Sequence, residues 1–335
     1  SGRRSRRRTS SASRMRRSCS SPTGRPGATS AGATSRGSRP PVPALPEVET
    51  IARDLQATDR GATVAAAHVH RPNVLRARTA RAFAGRIAGA TFDKFWRRAK
   101  YVVDYLSTGD RLVVSPRLTG ALLVEPGPFR RSAADYSCIQ FPLADGRVLR
   151  FRDVRRLGTV ELMEPGRFEA FTAAIGPEPL EPSFTADRFT EIVRSSTRAI
   201  KTILMDQRRI AGIGNIYANE ACWRAFVRPT RRGSSLTHAQ AALLHRESVD
   251  VLRAAVEQRG TSFRDYQDPY GGRGGFLGLA KVYGRHGEPC VRCGTTLRSS
   301  HALENRITVR CTTCQKLRCE PPKPEVAFRL RGHQG

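Results

Sequence analysis

No stretch of this sequence approaches the roughly 18 consecutive apolar residues that a membrane-crossing helix needs, and hydrophobic residues make up only 39%. A helical membrane span is thereby excluded. Acidic side chains are scarce, 29 Asp and Glu against 58 Lys and Arg, which leaves a formal charge of +29. A surface that repels itself this strongly is usually neutralised by phosphates, so a polyanionic partner is expected. The eight cysteines lack the even spacing of a disulfide framework. Four form two tight pairs, and Cys19, Cys138, Cys222 and Cys319 are scattered. That usage fits a metal site in a reducing compartment and predicts a cytoplasmic location.

The 335 residues suffice for about two domains. Residues 1–41 carry eleven arginines but no Asp, Glu or Lys, and almost no large apolar residue. Such a segment cannot bury enough surface to offset ordering its backbone and is expected to be disordered. No apolar run follows its arginines, so it does not read as a signal peptide. It reads either as a basic nucleic-acid-binding tail or as a stretch lying upstream of the true start. Without it the chain keeps 47 basic against 29 acidic residues.

From Pro46 the pattern turns helical, with Val48, Ile51, Ala52 and Leu55 on one face and Glu47 and Glu49 near the positive end of the dipole. Short runs rich in Val, Leu, Tyr and Phe follow at Tyr101–Leu106, Arg111–Val114, Ala121–Val124, Val148–Phe151 and Thr159–Met163. They predict antiparallel sheets in a sandwich. The Gly- and Pro-rich stretch from Gly176 to Pro182 breaks the periodicity. Beyond it Thr185 suits a helix cap, Ile200, Ile203 and Leu204 mark another helix, and Ile216 to Phe226 a third. Thr237 with Gln240 makes a capping box for a helix stopping at Gly260.

Cys290-Val-Arg-Cys293 and Cys311-Thr-Thr-Cys314 are two knuckles separated by 17 residues. Four thiolates at this spacing complete a tetrahedral shell with no open position for water, which predicts one structural zinc ion. Between them Arg306-Ile-Thr-Val-Arg310 alternates as a strand, so a metal-held hairpin would present arginine to a phosphate. Upstream, Gly212 and Gly214 directly precede a helical run beginning near Asn215. Glycines let backbone amides approach a phosphate, and the helix dipole adds to the grip, although two glycines also serve a plain tight turn.

In its motifs the sequence resembles the formamidopyrimidine-DNA glycosylases, bacterial base-excision enzymes. The resemblance covers residues 42–316. It rests on Pro43-Ala-Leu-Pro-Glu-Val-Glu-Thr50, Arg97-Arg-Ala-Lys-Tyr101, Arg117-Leu-Thr-Gly120, Asp153-Val-Arg-Arg-Leu-Gly158, the Gln207 to Glu220 segment, and Val282-Tyr-Gly-Arg285 leading into the cysteines. It implies an α+β fold, with an N-terminal two-sheet β-sandwich and a C-terminal helix-two-turns-helix domain carrying a four-cysteine zinc ribbon. The corresponding boundaries are 1–41 extension, 42–172 catalytic sandwich, 173–182 linker, 183–280 helical DNA-binding domain with a lesion-capping loop, 281–319 ribbon and 320–335 tail. The implied partner is damaged double-stranded DNA, bound by a monomer with the lesion flipped from the stack.

The same resemblance assigns roles. Pro43 takes the place of the family's N-terminal proline nucleophile and Lys100 that of its catalytic lysine. Lys201, Asn215 and Arg306 match DNA phosphate ligands, and Arg156 matches the arginine that fills the gap left by the flipped base, with Leu118 and Leu157 beside it. A proline nitrogen within a peptide bond cannot attack a sugar carbon, so translation is expected to start at Val42 and expose Pro43 after trimming. The sequence departs from the family at Ala44, where the family has a catalytic glutamate. Other departures are Ser115-Pro116 in place of His-Leu, Leu118 and Leu157 in place of Met and Phe, and Arg310 in place of an aromatic. The glycines between Gly260 and Gly278 resemble a loop that covers an oxidised purine. The expected activity is a glycosylase with abasic-site (AP) lyase action on oxidised or ring-opened purines. The alternatives are an AP lyase only, or a lesion-binding protein silenced by Ala44.

Overall fold

The computed structural model describes residues 43–127, 136–262 and 268–316. The 1–41 extension, Val42, Cys19, Cys319 and the tail lie outside the described residues.

Helix α1 (Leu45–Thr58) forms where the periodicity predicts it, with Pro46 in its first turn and Glu47 reaching back to accept the Ala44 backbone N–H at 2.7 Å. Strands follow as β1 (His68–Val69), β2 (Phe92–Arg98), β3 (Tyr101–Leu106), β4 (Arg111–Ser115), β5 (Gly120–Glu125), β6 (Ser137–Pro142), β7 (Val148–Asp153) and β8 (Thr159–Met163). Helix α2 (Ala80–Ile87) lies between β1 and β2, and α3 (Pro165–Ala173) follows β8. The strands make two four-stranded sheets in the orders β1-β6-β7-β5 and β2-β3-β4-β8, every named-strand pairing antiparallel. Val102, Leu112, Val114 and Val160 of one sheet and Leu122, Ile139, Phe141 and Phe151 of the other close a common core. The expected sandwich is therefore the observed one.

All five predicted strand runs are present. Strands β2 and β6 and helices α2 and α3 were not anticipated. In β2 the register shifts between Phe92 and Lys94, which breaks the alternation. Strand β6 carries Ser137 and Gln140 among its buried residues and ends on a half-buried Pro142. Helix α2 buries only Phe83 and Ile87, a stripe too narrow to stand out.

The second half is helical: α4 (Ala186–Arg194), α5 (Ile200–Met205), α6 (Asn215–Arg224) and α7 (His238–Glu257). Thr185 caps α4 by accepting from Arg188 N, and Thr237 and Gln240 form the reciprocal box at α7. Helix α7 ends at Glu257, just short of the glycine the sequence indicated, and Arg259 is the first residue past it to turn left-handed, at a φ of 57°. Gly260 takes a φ of 81° and donates to Ala255 O at 2.7 Å, closing the last turn. Strands β9 (Arg298–Leu303) and β10 (Arg306–Arg310) form an antiparallel ribbon. The ribbon packs on α6 through Trp223, Val282, Leu297 and Val309. Helix α1 serves both halves: Val48, Ile51 and Leu55 enter the sandwich core, while Ala44 and Leu45 belong to the core of the helical half.

Candidate active site

Lys100 follows the sharp turn between β2 and β3, where Ala99 is held at a φ of 52°. The segment that follows α3 holds that turn in shape. Buried Glu178 accepts from Arg97 Nη1 at 2.5 Å, Arg98 Nη1 at 2.7 Å and the Ala99 backbone N–H at 2.7 Å. Arg98 also donates to the carbonyls of Thr172 and Ile175, tying the end of α3 to the turn. Desolvation, reinforced by Arg306, pushes the Lys100 ammonium down to about 7, with Glu47 opposing. Its amine is thus partly neutral at neutral pH.

Pro43 stands directly ahead of α1, and the glycine turn of the helical half fixes its place. Leu45 N donates to Gly212 O at 2.9 Å. Gly212 has a φ of 77°, and a side chain there would meet Leu45 Cβ at 2.6 Å; one at Gly214 would meet Ala44 Cβ at 2.6 Å. These glycines answer a need that phosphate binding does not explain, the close approach of a helix end. Gln207 staples the turn, donating to the Met205 and Ile213 carbonyls at 2.8 and 3.2 Å and accepting from Gly212 N at 2.8 Å. Buried Glu47 joins α1 to the helical half, accepting from Thr261 N at 2.7 Å and from the Tyr217 hydroxyl. Burial pushes the Glu47 carboxyl above its ordinary range, against the hydrogen bonds from Tyr217, Ala44 and Thr261.

In the ribbon, the Sγ atoms of Cys290, Cys293, Cys311 and Cys314 all lie within 4.8 Å of one another. Their separations include 3.5 Å for Cys293–Cys311 and Cys293–Cys314 and 4.0 Å for Cys290–Cys314. A tetrahedral zinc with bonds of about 2.3 Å needs S···S edges of about 3.8 Å, so the four thiolates fit that ion, which would close the ribbon and leave no ligand position for chemistry. Lys201 lies beneath the ribbon, its Nζ donating to Ile307 O at 2.7 Å and Thr308 Oγ1 at 2.8 Å. Asn219 Oδ1 accepts from Val309 N at 2.9 Å. Glu220 accepts from Lys281, Val282 and Tyr283 backbone N–H groups at 2.9, 2.9 and 2.8 Å, seating the segment that leads into the cysteines.

These supports converge on one cavity of about 270 Å³. Pro43, Lys100, Tyr101, Ser115 and Arg117 line it from the sandwich side, Met205 and Gln207 from the helical turn, and Glu304 and Arg306 from the ribbon. The lining residues include three basic ones, Lys100, Arg117 and Arg306, and one acidic one, Glu304, a balance suited to a negatively charged backbone with a reacting sugar between.

Of the sequence-predicted residues, Pro43, Lys100 and Arg306 line the cavity together. Ala44 is buried against Gly214. Asn215 opens α6, and the Lys201 ammonium is engaged by the ribbon. Arg156 and Leu157 are exposed on a loop after β7. Asp153 shapes that loop, accepting from Arg155 N at 3.1 Å, Gly158 N at 2.7 Å and the Thr119 hydroxyl next to Leu118. Sequence reasoning missed Glu178, Glu220, Asn219 and Glu304. A lone Glu in a Pro-rich linker or on a helix gives no local signal of its partners.

Comparison with known proteins agrees with this arrangement. The Formamidopyrimidine-DNA glycosylase N-terminal domain model matches residues 42–160, and the Formamidopyrimidine-DNA glycosylase H2TH domain model matches residues 175–267. Formamidopyrimidine-DNA glycosylase of Chloroflexus aggregans is 41% identical over 280 residues, 82% of this chain and 99% of that protein. The Desulforamulus reducens protein of the same name is 36% identical over 279 residues, covering 82% and 99%. Among solved structures, the Thermus thermophilus Fpg protein aligns with a TM-score of 0.72 at 35% identity, covering 82% of this chain and 98% of that one. A Lactococcus lactis Fpg mutant bound to Fapy-dG-containing DNA aligns with a TM-score of 0.75 at 29% identity, covering 82% and 100%. The motifs, the sandwich, the helical half, the four-cysteine ribbon and these likenesses agree: the chain belongs to the formamidopyrimidine-DNA glycosylase family.

Proposed function

We propose that this protein is a base-excision repair enzyme combining DNA glycosylase and AP lyase action on oxidised or ring-opened purines in duplex DNA, with the Pro43 amine as nucleophile. The observation that carries this reading is the meeting of Pro43, Lys100 and Arg306 in one cavity built from both halves of the chain. In the form that begins at Pro43, the ring nitrogen is a secondary amine. It bonds to C1′ of an extruded nucleotide while the C1′–base bond breaks, and the base leaves with that electron pair and takes up the proton that the amine gives up. Opening of the sugar ring places the C1′–O4′ electron pair on O4′, which takes a proton, and leaves an iminium between Pro43 and C1′. That cation acidifies the C2′ proton and prepares strand scission by elimination.

Arg306, Lys201 and Asn215 are assigned to the DNA backbone, and Leu118, Arg156 and Leu157 to the gap left by the extruded base. One zinc ion on Cys290, Cys293, Cys311 and Cys314 keeps the ribbon in register. The partner is damaged duplex DNA, engaged by a monomer.

Borohydride trapping tests the reading. The chain beginning at Pro43 is expected to crosslink to a duplex carrying 8-oxoguanine and to one carrying a preformed abasic site, and Pro43→Ala to neither. Crosslinking to the abasic duplex alone would restrict the activity to lyase. Crosslinking to neither would leave a lesion-binding protein.

A further inference from the structure

Glu304 is the one carboxylate among the described residues lining the cavity. Glu47, close to Pro43 in sequence, is committed elsewhere, to Ala44 N, Thr261 N and the Tyr217 hydroxyl. Position 44 offers only a methyl group.

The backbone at Glu304 gives an independent reason to look at this side chain. Glu304 and Asn305 form the two-residue turn between β9 and β10, with φ of 53° and 55°. A turn with both central residues left-handed favours Gly, Asn and Asp, and a glutamate there works against the backbone. The turn alone therefore does not call for Glu304. The side chain is also not locked. Its ion pair with Arg198 spans 3.6 Å with both partners more than 40% exposed, a contact of little worth. Strand β10, which leaves the turn, is held by Lys201 on Ile307 and Thr308 and by Asn219 on Val309.

We infer that Glu304 is the base of the elimination step, accepting the C2′ proton of the sugar joined to Pro43. This rests on the proposed function, since it needs the iminium at C1′. The C2′–H bond breaks and its proton passes to a Glu304 carboxylate oxygen. The electron pair left at C2′ becomes the C2′=C3′ double bond while the C3′–O bond breaks, and the 3′-phosphate leaves with that bond's pair. The zinc ribbon thus contributes to the chemistry through its turn, while its metal stays structural.

The test uses the chain beginning at Pro43 on a duplex with a preformed abasic site, under single turnover, with borohydride trapping and strand scission measured separately. Glu304→Gln is expected to trap within twofold of the parent while scission slows about 10²-fold, the lower end for removing a general base. Glu304→Asn guards against a folding artefact, because asparagine suits the turn better than glutamate; it is expected to melt no lower than the parent and to lose scission alike. Glu304→Asp is expected to recover part of the rate. Scission at the parental rate in Glu304→Gln and Glu304→Asn overturns the inference, as does a parallel loss of trapping and scission, which would mark a binding role. Failure of the parent itself to trap overturns the iminium reading and this one together. Normal parental trapping with unchanged variant scission overturns this one alone.

Discussion

Replacing Glu220 with Gln offers a measure of how the ribbon is attached. The carboxylate is fully buried. One oxygen accepts from Val282 N and Tyr283 N at 2.9 and 2.8 Å, the other from Lys281 N at 2.9 Å. In Glu220→Gln the two bonds to one oxygen survive without charge, while an NH2 group faces the Lys281 N–H and that bond is lost. Hydrogen bonds to a charged group contribute about 1.5–3 kcal/mol each, so a loss of about 2 kcal/mol is expected. At about 2–4 °C per kcal/mol for a domain of 150–250 residues, the melting temperature should fall by about 4–8 °C. Glu220→Ala strands all three donors, and its cost of about 5 kcal/mol reaches the lower end of a whole domain's stability. Calorimetry paired with zinc release to a chromogenic chelator reads both effects, because Val282 packs in the same cluster as Cys290 and Cys311. A Glu220→Gln protein that melts within about 1 °C of the parent and releases zinc no faster would show that these three bonds do not hold the ribbon.

Three further outcomes follow from single groups. Asp104 is buried in β3 with neither carboxylate oxygen hydrogen-bonded, and burial, with Asp93 nearby, raises its pKa well above 3.8. Because the folded state holds this proton more tightly, the parent should lose stability as pH rises above 3.8 until the folded pKa is passed. Asp104→Val should remove that slope and raise stability at neutral pH by about 1–3 kcal/mol, as read by denaturant unfolding from pH 3 to 8. Glu178→Gln should disturb the Arg97–Lys100 turn, and with Lys100 displaced by about 1 Å, trapping on an abasic duplex should fall by up to about 10²-fold while DNA affinity changes little. Chelation should remove one zinc per chain and open Arg298 and Arg306 to trypsin, with protection regained when zinc is restored; cleavage unaffected by chelation would count against a structural metal.

How much of this was visible beforehand depended on the range of each interaction. Strands β3, β4, β5, β7 and β8, the caps at Thr185 and Thr237 and the two cysteine knuckles carry their signals within a few residues. Pro43, Lys100 and Arg306 came from motifs, and only the fold shows that they share a cavity. The buried carboxylates were invisible because their partners are remote: Glu47 meets Tyr217 across 170 positions, Glu178 meets Ala99 across 79, and Glu220 meets Val282 across 62. The packing role of Gly212 and Gly214 against Leu45 and Ala44 is not legible in the sequence, since a glycine that admits a phosphate and one that admits a neighbouring helix look identical there.

Helix α1 links these observations. Its first turn is packed into the helical half, and its next three turns are packed into the sandwich. The two halves cannot be prepared as independent pieces by cutting at the linker, because a sandwich fragment would carry Leu45 into solvent and a helical fragment would lose it from its centre. The same arrangement constrains motion. Any parting of the two halves would load α1 where it passes from one core to the other, between Leu45 and Val48, and would also pull on the Asp54–Arg259 and Thr58–Tyr270 contacts farther along it. Pro43 lies two residues from that crossing, so a parting of the halves and a displacement of Pro43 are mechanically coupled.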